Sequence, residues 1–311
     1  MSIPQVSIIA TIYNAENFLE ELVREISLSV EKVTADYEII LVEDCGMDNS
    51  WGKIEELGKK DTRIRGIKLS RNFGQQMAMS AGIRYAQADT VIIMDGDLQN
   101  PPEAIPSIIE KVKEGYDVVY TVSKTRNNFK DELTSWIFWS FINKVFNVGM
   151  VPDQLMMKGF SKRFKENFNS YEERIRVVAG ITKDIGLNTT MLEVQNRKRK
   201  YGKSNYTFFK RFHLMVDIIL AMTNAPLNYM INISLVSLLI TLVAGVWNLI
   251  SYIMYPDIPP GYTTLVILIL FFGSLTLLTL GIIGRYLSNI YIEIRRRPVF
   301  IINKTINLPH E

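Results

Sequence analysis

Two long stretches without a charged residue constrain the fold of this chain more than any other feature. No Asp, Glu, Lys or Arg occurs from Ile218 to Pro256 or from Ile258 to Gly284. Each stretch is longer than the ~20 apolar residues that a helix needs to cross a bilayer. A buried core helix is the alternative, but core helices of soluble domains rarely stay uncharged for so long. The sequence therefore predicts two membrane spans, near residues 229–253 and 262–284.

The charges that flank these stretches predict their orientation. The link at 255–262 contains no Lys or Arg, whereas Arg285 and the run Arg295-Arg296-Arg297 follow the second stretch. Basic flanks of a span stay on the cytoplasmic side. We therefore expect a protein of the cell (plasma or inner) membrane, with its N-terminal part and both termini in the cytosol.

The remaining composition excludes several classes. The 311 residues carry 35 Lys and Arg against 32 Asp and Glu, and this net charge of +3 does not suggest a nucleic-acid partner. One cysteine, Cys45, cannot form an internal disulfide. No basic segment followed by an apolar core opens the chain, so we expect no cleaved secretory signal.

Apolar runs alternate with helical patterns over residues 1–125. The patterns predict strands at 6–12, 37–42, 64–69, 90–94 and 117–122, with helices between them. Small residues in one of these helices, Ala78, Ala81 and Gly82, would permit close packing. Strands that alternate with helices predict an α/β fold, in which a mostly parallel sheet is covered on both faces.

Acidic residues close two of the predicted strands. The run Ile92-Ile93-Met94 ends on Asp95-Gly96-Asp97, and an earlier strand ends on Glu43-Asp44. Open α/β sheets hold their ligands at the carboxyl ends of the strands. Two carboxylates there suit a divalent cation that keeps waters and bridges phosphates. A loop that merely exposes two aspartates is the alternative interpretation.

Two common nucleotide-binding signatures are missing from the sequence. Neither Gly-x-Gly-x-x-Gly nor Gly-x-x-x-x-Gly-Lys-Ser/Thr occurs, which disfavours a dehydrogenase and a P-loop ATPase or GTPase. A nucleotide bound here would depend on side chains and a metal rather than on a glycine loop.

Several ordered motifs resemble glycosyltransferase family 2. Within that family the chain is similar to polyprenyl-phosphate glycosyltransferases, such as dolichol-phosphate mannose synthase-like proteins and bacterial undecaprenyl-phosphate glucosyl and aminoarabinosyl transferases. The resemblance covers nearly the whole chain. The motifs that carry it are Ser7–Glu16, Val42–Ser50, Ser70–Gln76, Asp95–Glu103, Arg199–Tyr206 and Gly281–Pro298.

The resemblance implies a GT-A fold and an inverting transfer of sugar. It implies a nucleoside-diphosphate sugar as donor, with UDP-hexose favoured and GDP-mannose open, and a polyprenyl phosphate as acceptor. It further implies Mg2+ or Mn2+ as cofactor and a homo-oligomer, a tetramer in relatives.

The resemblance also implies roles for individual residues. Metal or diphosphate contacts would be Asp95, Asp97 and Gln99, with Gly96 between the two aspartates. The nucleotide pocket would be lined by Ile12, Tyr13, Asn14, Glu16 and Asp44. Residues near the acceptor phosphate or the donor diphosphate would be Arg126, Lys130, Ser135, Lys158, Arg199 and Ser204.

One departure from the family pattern concerns the catalytic base. Where many relatives carry Asp and Arg, this chain has Met156 and Lys158. A phosphate monoester has its second pKa near ~6, so a lipid phosphate is largely a dianion at cytosolic pH and can attack without a base. Asp153 is the alternative base.

The expected organisation has four parts. Residues 1–206 would form the glycosyltransferase domain, 207–226 a juxtamembrane amphipathic helix, 227–290 the transmembrane hairpin and 291–311 a cytosolic tail. A second amphipathic helix is expected at 131–148, lying in the membrane interface.

Two other functions compete with sugar transfer to a lipid phosphate. A processive polysaccharide synthase is disfavoured, because the chain has no Gln-x-x-Arg-Trp motif and too few spans for a channel. A membrane-anchored scaffold that binds a nucleotide sugar without catalysis stays open, because of the departures at Met156 and Ser123.

Overall fold

The structure, a computed structural model, describes residues 3–123, 143–144, 151, 154–173, 176, 178–195, 197, 220, 223–254 and 261–308. The chain divides into two compact units. The first comprises residues 1–141, 149–206 and 297–311, and the second comprises 142–148 and 207–296.

One mixed sheet organises the first unit. Its strands are β1 (Val6–Ile12), β2 (Tyr37–Glu43), β3 (Ile64–Leu69), β4 (Thr90–Asp95), β5 (Val118–Ser123), β6 (Gln154–Phe160), β7 (Thr189–Val194) and β8 (Ile302–Ile306). Their order across the sheet is β7-β5-β6-β4-β1-β2-β3-β8. The pairs β1–β2, β1–β4, β2–β3 and β5–β7 are parallel, while β6 and β8 run antiparallel to their neighbours. The expected mostly parallel α/β sheet is confirmed.

Helices cover both faces of this sheet because its central strands are apolar on both sides. The helices are α1 (Leu19–Val30), α2 (Ser50–Lys60), α3 (Gln75–Tyr85), α4 (Ile105–Lys113), α5 (Lys162–Ser170) and α6 (Val178–Ile185), with a 3-10 turn at Pro102–Ala104. Buried side chains of α1, α2 and α4 form one core layer. Those of α3, α5 and α6 form the other, where the rings of Phe160, Phe164 and Phe168 stack.

Helix α3 approaches β1 closely, as its small residues predicted. Ala78 and Ala81 are fully buried. A Cβ atom added to Gly82 would lie only 2.3 Å from Cγ2 of Ile9. Glycine therefore permits the helix to pack directly on the central strand, and this contact fixes where the N-terminus of α3 meets the ends of the strands.

The segment after residue 297 joins the sheet instead of trailing away. Strand β8 pairs antiparallel with β3, and the backbone N–H of Ser70 donates to the carbonyl of Ile301 (2.8 Å). The side chain of Asn307 donates to the carbonyls of Gly58 (2.7 Å) and Ile64 (2.9 Å). The segment expected as a cytosolic tail thus contributes an edge strand to the first unit.

Two long helices make up the described core of the second unit. Helix α7 spans Ala225–Met254 and helix α8 spans Tyr262–Ile294. Both are long and apolar enough to cross a membrane, and their most apolar windows are 0% buried, which disfavours the core-helix alternative. The amphipathic helices expected at 131–148 and 207–226 lie outside the described residues, apart from 143–144, 220 and 223–226.

We predict that Gly82→Ala destabilises the first unit by about 1–3 kcal/mol, because the added methyl group overpacks the contact with Ile9. The matched control is Gly52→Ala in α2, where the three atoms nearest to the new methyl group all belong to the exposed side chain of Asn49, which can move toward solvent. That control should be neutral or slightly stabilising, since Ala favours helix over Gly. Chemical denaturation of both variants tests the prediction, and equal stabilities would contradict it.

Candidate active site

The carboxyl ends of three parallel strands meet at one edge of the sheet. In the pairing register Thr11 of β1 lies beside Asp95 of β4, and Ile12 lies beside Glu43 of β2. The N–H of Gly96 donates to the carbonyl of Thr11 (3.1 Å). This register brings together the predicted residues of β1, β2 and β4, as expected for an open α/β sheet.

Gly96 lets the chain turn sharply between the two aspartates. A Cβ atom at this position would lie 2.7 Å from the carbonyl oxygen of Thr11 and 2.7 Å from Cδ1 of Ile12. Ile12 itself is fully buried. Its side chain therefore supports the turn from behind and belongs to the wall of the site.

The loops after β1 and β2 are tied together by side-chain hydrogen bonds. Oδ1 of Asn14 accepts from the N–H of Met47 (2.8 Å), and Glu16 accepts from the N–H of Asn49 (3.1 Å). Asn14 has a positive φ of 53°, which Asn tolerates better than most residues. Tyr13 keeps about half of its surface exposed (51%). The loops thus present an aromatic ring beside a fixed polar frame.

Asp44 is buried and joins β2 to the start of α3. Its two carboxylate oxygens accept from the N–H groups of Phe73 (2.7 Å) and Gly74 (2.8 Å). Burial raises the pKa of Asp44, and the two backbone hydrogen bonds oppose this rise. Gly74 has a φ of +92°, a conformation that favours glycine. Asp44 therefore holds the loop that leads into α3.

Asp95 lies beside the second carboxylate at the end of β4. Burial, and after it the negative charge of Asp97, raises the pKa of Asp95 to about 6. The side chains of Asn100 and Gln75 hydrogen-bond Asp95 and oppose the rise, as does the charge of Lys158. Asp95 is thus a carboxylate that a positive charge would stabilise strongly.

Lys158 provides part of that charge from the neighbouring antiparallel strand. Its position on β6 is opposite Ile93 of β4, and the residue is 5% exposed. Burial lowers the pKa of Lys158 to about 8, and the charge of Asp95 opposes this. Nζ donates to the carbonyl of Leu155 (3.0 Å). A lysine buried beside Asp95 fits support of the acidic turn better than direct contact with an acceptor head group.

The loop after Asp95 is fixed by contacts from several directions. The N–H of Gln99 donates to Oδ1 of Asp97 (3.1 Å). Asn100 is buried, and its Oδ1 accepts from the N–H of Met157 (3.3 Å). The carbonyl of Gln99 accepts from the N–H of Arg197 (3.1 Å). These contacts hold the predicted metal ligands in one conformation.

The donor set at this turn suits a hard divalent cation that shares its ligands with a substrate. Within the described part of the chain, no group of three or more His, Cys, Asp or Glu side chains is arranged to hold a metal ion. The turn offers the two carboxylates Asp95 and Asp97 and the amide of Gln99. Mg2+ and Mn2+ accept oxygen ligands, and Mg2+ commonly takes one or two carboxylates with substrate phosphates and water completing the shell. Burial and the charge of Asp97 both disfavour the ionised form of Asp95 and raise its pKa, and such a cation would stabilise that form.

Six of the predicted site residues lie outside the described part of the chain, and three further residues contact the site or its loop. The candidates outside the described residues are Arg126, Lys130, Ser135, Asp153, Arg199 and Ser204. The amide of Gln75 donates to Asp95, whereas the sequence marks Gln75 only as part of the motif Ser70–Gln76. The sequence gives a reason to expect a role for Asn100, because it lies three residues after Asp97 in the same motif. The sequence gives no indication that Arg197 contacts the loop, because it belongs to a run of basic residues and such runs usually lie on the solvated surface.

Comparison with known proteins extends over the whole chain. Residues 7–173 match the profile of glycosyl transferase family 2. An undecaprenyl-phosphate 4-deoxy-4-formamido-L-arabinose transferase of Proteus mirabilis is 30% identical over 311 residues, covering 98% of this chain and 95% of the relative. An uncharacterized glycosyltransferase of Synechocystis sp. is 30% identical over 302 residues, covering 96% and 95%.

Solved structures show the same fold. The glucosyl-3-phosphoglycerate synthase of Mycobacterium tuberculosis, in complex with Mn2+, UDP and glucosyl-3-phosphoglycerate, superposes with a TM-score of 0.53 at 15% identity, covering 71% of this chain and 80% of that one. A mannosyltransferase of Pyrobaculum calidifontis with GDP-mannose and Mn2+ gives a TM-score of 0.51 at 13% identity, covering 71% and 64%. The first unit has the GT-A fold, and the chain belongs to glycosyl transferase family 2.

Proposed function

We propose that this protein transfers a sugar from a nucleoside-diphosphate donor to a polyprenyl phosphate at the cytosolic face of a membrane. The observation that carries the proposal is the Asp95-Gly96-Asp97 turn, where a half-buried carboxylate of raised pKa meets the ends of three parallel strands. Relatives that match over nearly their full length are named as undecaprenyl-phosphate 4-deoxy-4-formamido-L-arabinose transferases, which supports this acceptor class.

The donor would lie across the ends of β1, β2 and β4. Tyr13 offers an exposed ring to a base, and Asp44 offers carboxylate oxygens beside the loop at Gly74. Asp95, Asp97 and Gln99 would hold Mg2+ or Mn2+ against the diphosphate. A bound cation of this kind stabilises the negative charge that develops on the leaving nucleoside diphosphate. UDP-hexose is the proposed donor.

The acceptor phosphate would attack the anomeric carbon from the face opposite the leaving group, which inverts its configuration. This step needs no protein base, because the phosphate is largely a dianion at neutral pH. Met156 at the position of the family acid is consistent with that route. Cationic and hydroxyl side chains would hold the two phosphate groups; the proposed ones are Arg126, Lys130, Ser135, Arg199 and Ser204.

The membrane would bring the acceptor to the site. Helices α7 and α8 have the length and apolar composition of a membrane hairpin. The basic residues that follow α8, Arg295 to Arg297, favour a cytosolic first unit. A homotetramer is also part of the proposal, and cross-linking in membranes can test it.

We expect Asp97→Asn to reduce transfer by a factor of about 10^2–10^3, since electrostatic stabilisation of the leaving group would be lost. The matched control is Asp89→Asn, which changes an exposed aspartate near the opposite end of β4. The measurement is release of nucleoside diphosphate with and without a short polyprenyl phosphate. Near-normal metal-dependent transfer by Asp97→Asn would refute the metal assignment, and absence of lipid-dependent release by the parent protein would favour a binding scaffold.

Metal binding should weaken as the pH falls below about 6. The pKa of Asp95 in the metal-free protein is raised to about 6, so below that pH a proton occupies the carboxylate and must leave before a cation binds. We expect the affinity for Mn2+ in the presence of UDP to fall by up to about tenfold per pH unit there. Calorimetric titration between pH 7.5 and 5 measures this. An affinity that is constant across the range would show that Asp95 does not ligate the metal.

Restoring an acid at Met156 should bring little benefit. If the acceptor phosphate attacks without a base, Met156→Asp leaves the turnover rate unchanged or lowers it, because a new carboxylate repels a phosphate dianion. Met156→Asn, which adds polarity without charge, is the control. A rise of tenfold or more in the turnover rate of Met156→Asp alone would show that a base had been missing.

A further inference from the structure

Arg197 connects three distant parts of the first unit. It lies just after β7, in the segment that leads to Arg199. Its guanidinium donates from Nη1 to Glu25 of α1 (2.6 Å) and from Nη2 to Glu103 of the 3-10 turn. Its backbone N–H donates to the carbonyl of Gln99 (3.1 Å). One residue therefore contacts both ends of the loop that follows Asp97.

That loop needs such support because its backbone is strained. Leu98 has a positive φ of 58°, which is unusual for a branched apolar residue without a local polar side chain. Its side chain is buried in the core. Strained residues persist only where the surroundings determine their conformation. Contacts that hold the flanking residues Gln99 and Glu103 thus favour the strained turn at Leu98.

The neighbouring supports hold other points of the same loop. Oγ of Ser29 donates to the carbonyl of Pro102 (2.6 Å), and Asn100 receives the N–H of Met157 (3.3 Å). Both of these contacts bind the loop through short polar groups. Arg197 instead brings a charge to the loop, and the fork of a guanidinium can bind two carboxylates at once.

The ion pairs also leave the guanidinium little capacity for a substrate. The side chain of Arg197 is 34% exposed, and its Nη atoms already face the carboxylates of Glu25 and Glu103. Two carboxylates around one cation give this group a net negative charge. An anionic diphosphate would not be attracted to it. The group is therefore better suited to structure than to contact with the donor.

We propose that Arg197 is a positioning residue, which holds the 96–104 loop so that Asp97 and Gln99 meet the metal and the donor diphosphate. The role of those two side chains rests on the proposed function. The contacts of Arg197 with the loop do not, so the test can separate the two.

The test compares Arg197→Ala and Arg197→Lys with the parent protein in its membrane-extracted, full-length form. In the metal-free protein, amide hydrogen exchange of residues 96–104 should be at least about threefold faster in Arg197→Ala, because the loop opens more often. The affinity for Mn2+ with UDP, or with GDP if the protein binds it better, should fall about tenfold, as expected for loss of a charged hydrogen bond. Arg197→Lys should recover part of both effects.

The matched control is Arg63→Ala. Arg63 also pairs with two carboxylates, Asp61 (2.8 Å) and Glu31 (3.4 Å), and has a similar exposure of 41%. It directly precedes β3, at the amino ends of the parallel strands, whereas Asp95 lies at their carboxyl ends. Arg63→Ala should leave both loop exchange and metal affinity unchanged, even where it lowers the melting temperature.

A second variant tests the route of the effect. In a Glu103→Gln background, Arg197→Ala should accelerate exchange of the loop less than it does in the parent, because residues in one ion-pair network are not additive. Unchanged exchange and metal affinity in Arg197→Ala, with only a lower melting temperature, would overturn the proposal. If Arg197→Ala accelerates exchange of the loop but the parent protein itself transfers no sugar, the positioning role stands and the proposed function is refuted.

Discussion

The parallel pairing of β4, β1 and β2 is the constraint on which the rest of the site depends. All three strands end at one edge of the sheet. The turn at Gly96, the loop at Asn14 and the carboxylate of Asp44 are therefore neighbours in space, although they are far apart along the chain. Apolar side chains on both faces fix this pairing, and a shift by one residue would move every one of them to the other face. The packing of the core therefore sets the relative positions of the site residues.

A buried charge balance is built on that frame. Asp95 would be costly to ionise at the end of an apolar strand, and Lys158 would be costly to protonate in the neighbouring one. The charge of each residue stabilises the ionised form of the other. The side-chain amides of Gln75 and Asn100 also stabilise ionised Asp95 through hydrogen bonds. The pKa of Asp95 stays raised with these partners in place, first because of its burial and second because of the charge of Asp97. A cation at the turn would stabilise the ionised form of both carboxylates.

The sequence predicted the part of this fold that follows regular patterns. Strands β1 to β5 show apolar runs, and Asp95 and Asp97 were recognisable because they end one of them. Strands β6, β7 and β8 were not identified, because their sequences mix polar and apolar residues and only their sheet neighbours define them. The sequence likewise does not predict the burial of Lys158 or the ion pairs of Arg197, since lysine and arginine are normally exposed. Such residues are recognised only when a partner from a distant segment is known.

The return of the chain at β8 has a consequence for biosynthesis. Helices α7 and α8 are encoded between β7 and β8, so the ribosome completes both long apolar helices before it makes the strand that covers β3. Until then β3 exposes a row of unpaired backbone groups, which other chains can join. Completion of the sheet therefore reports that the hairpin has been made. A nascent chain that stalls within the hairpin keeps this edge open, and it is then a target for chaperones and proteases.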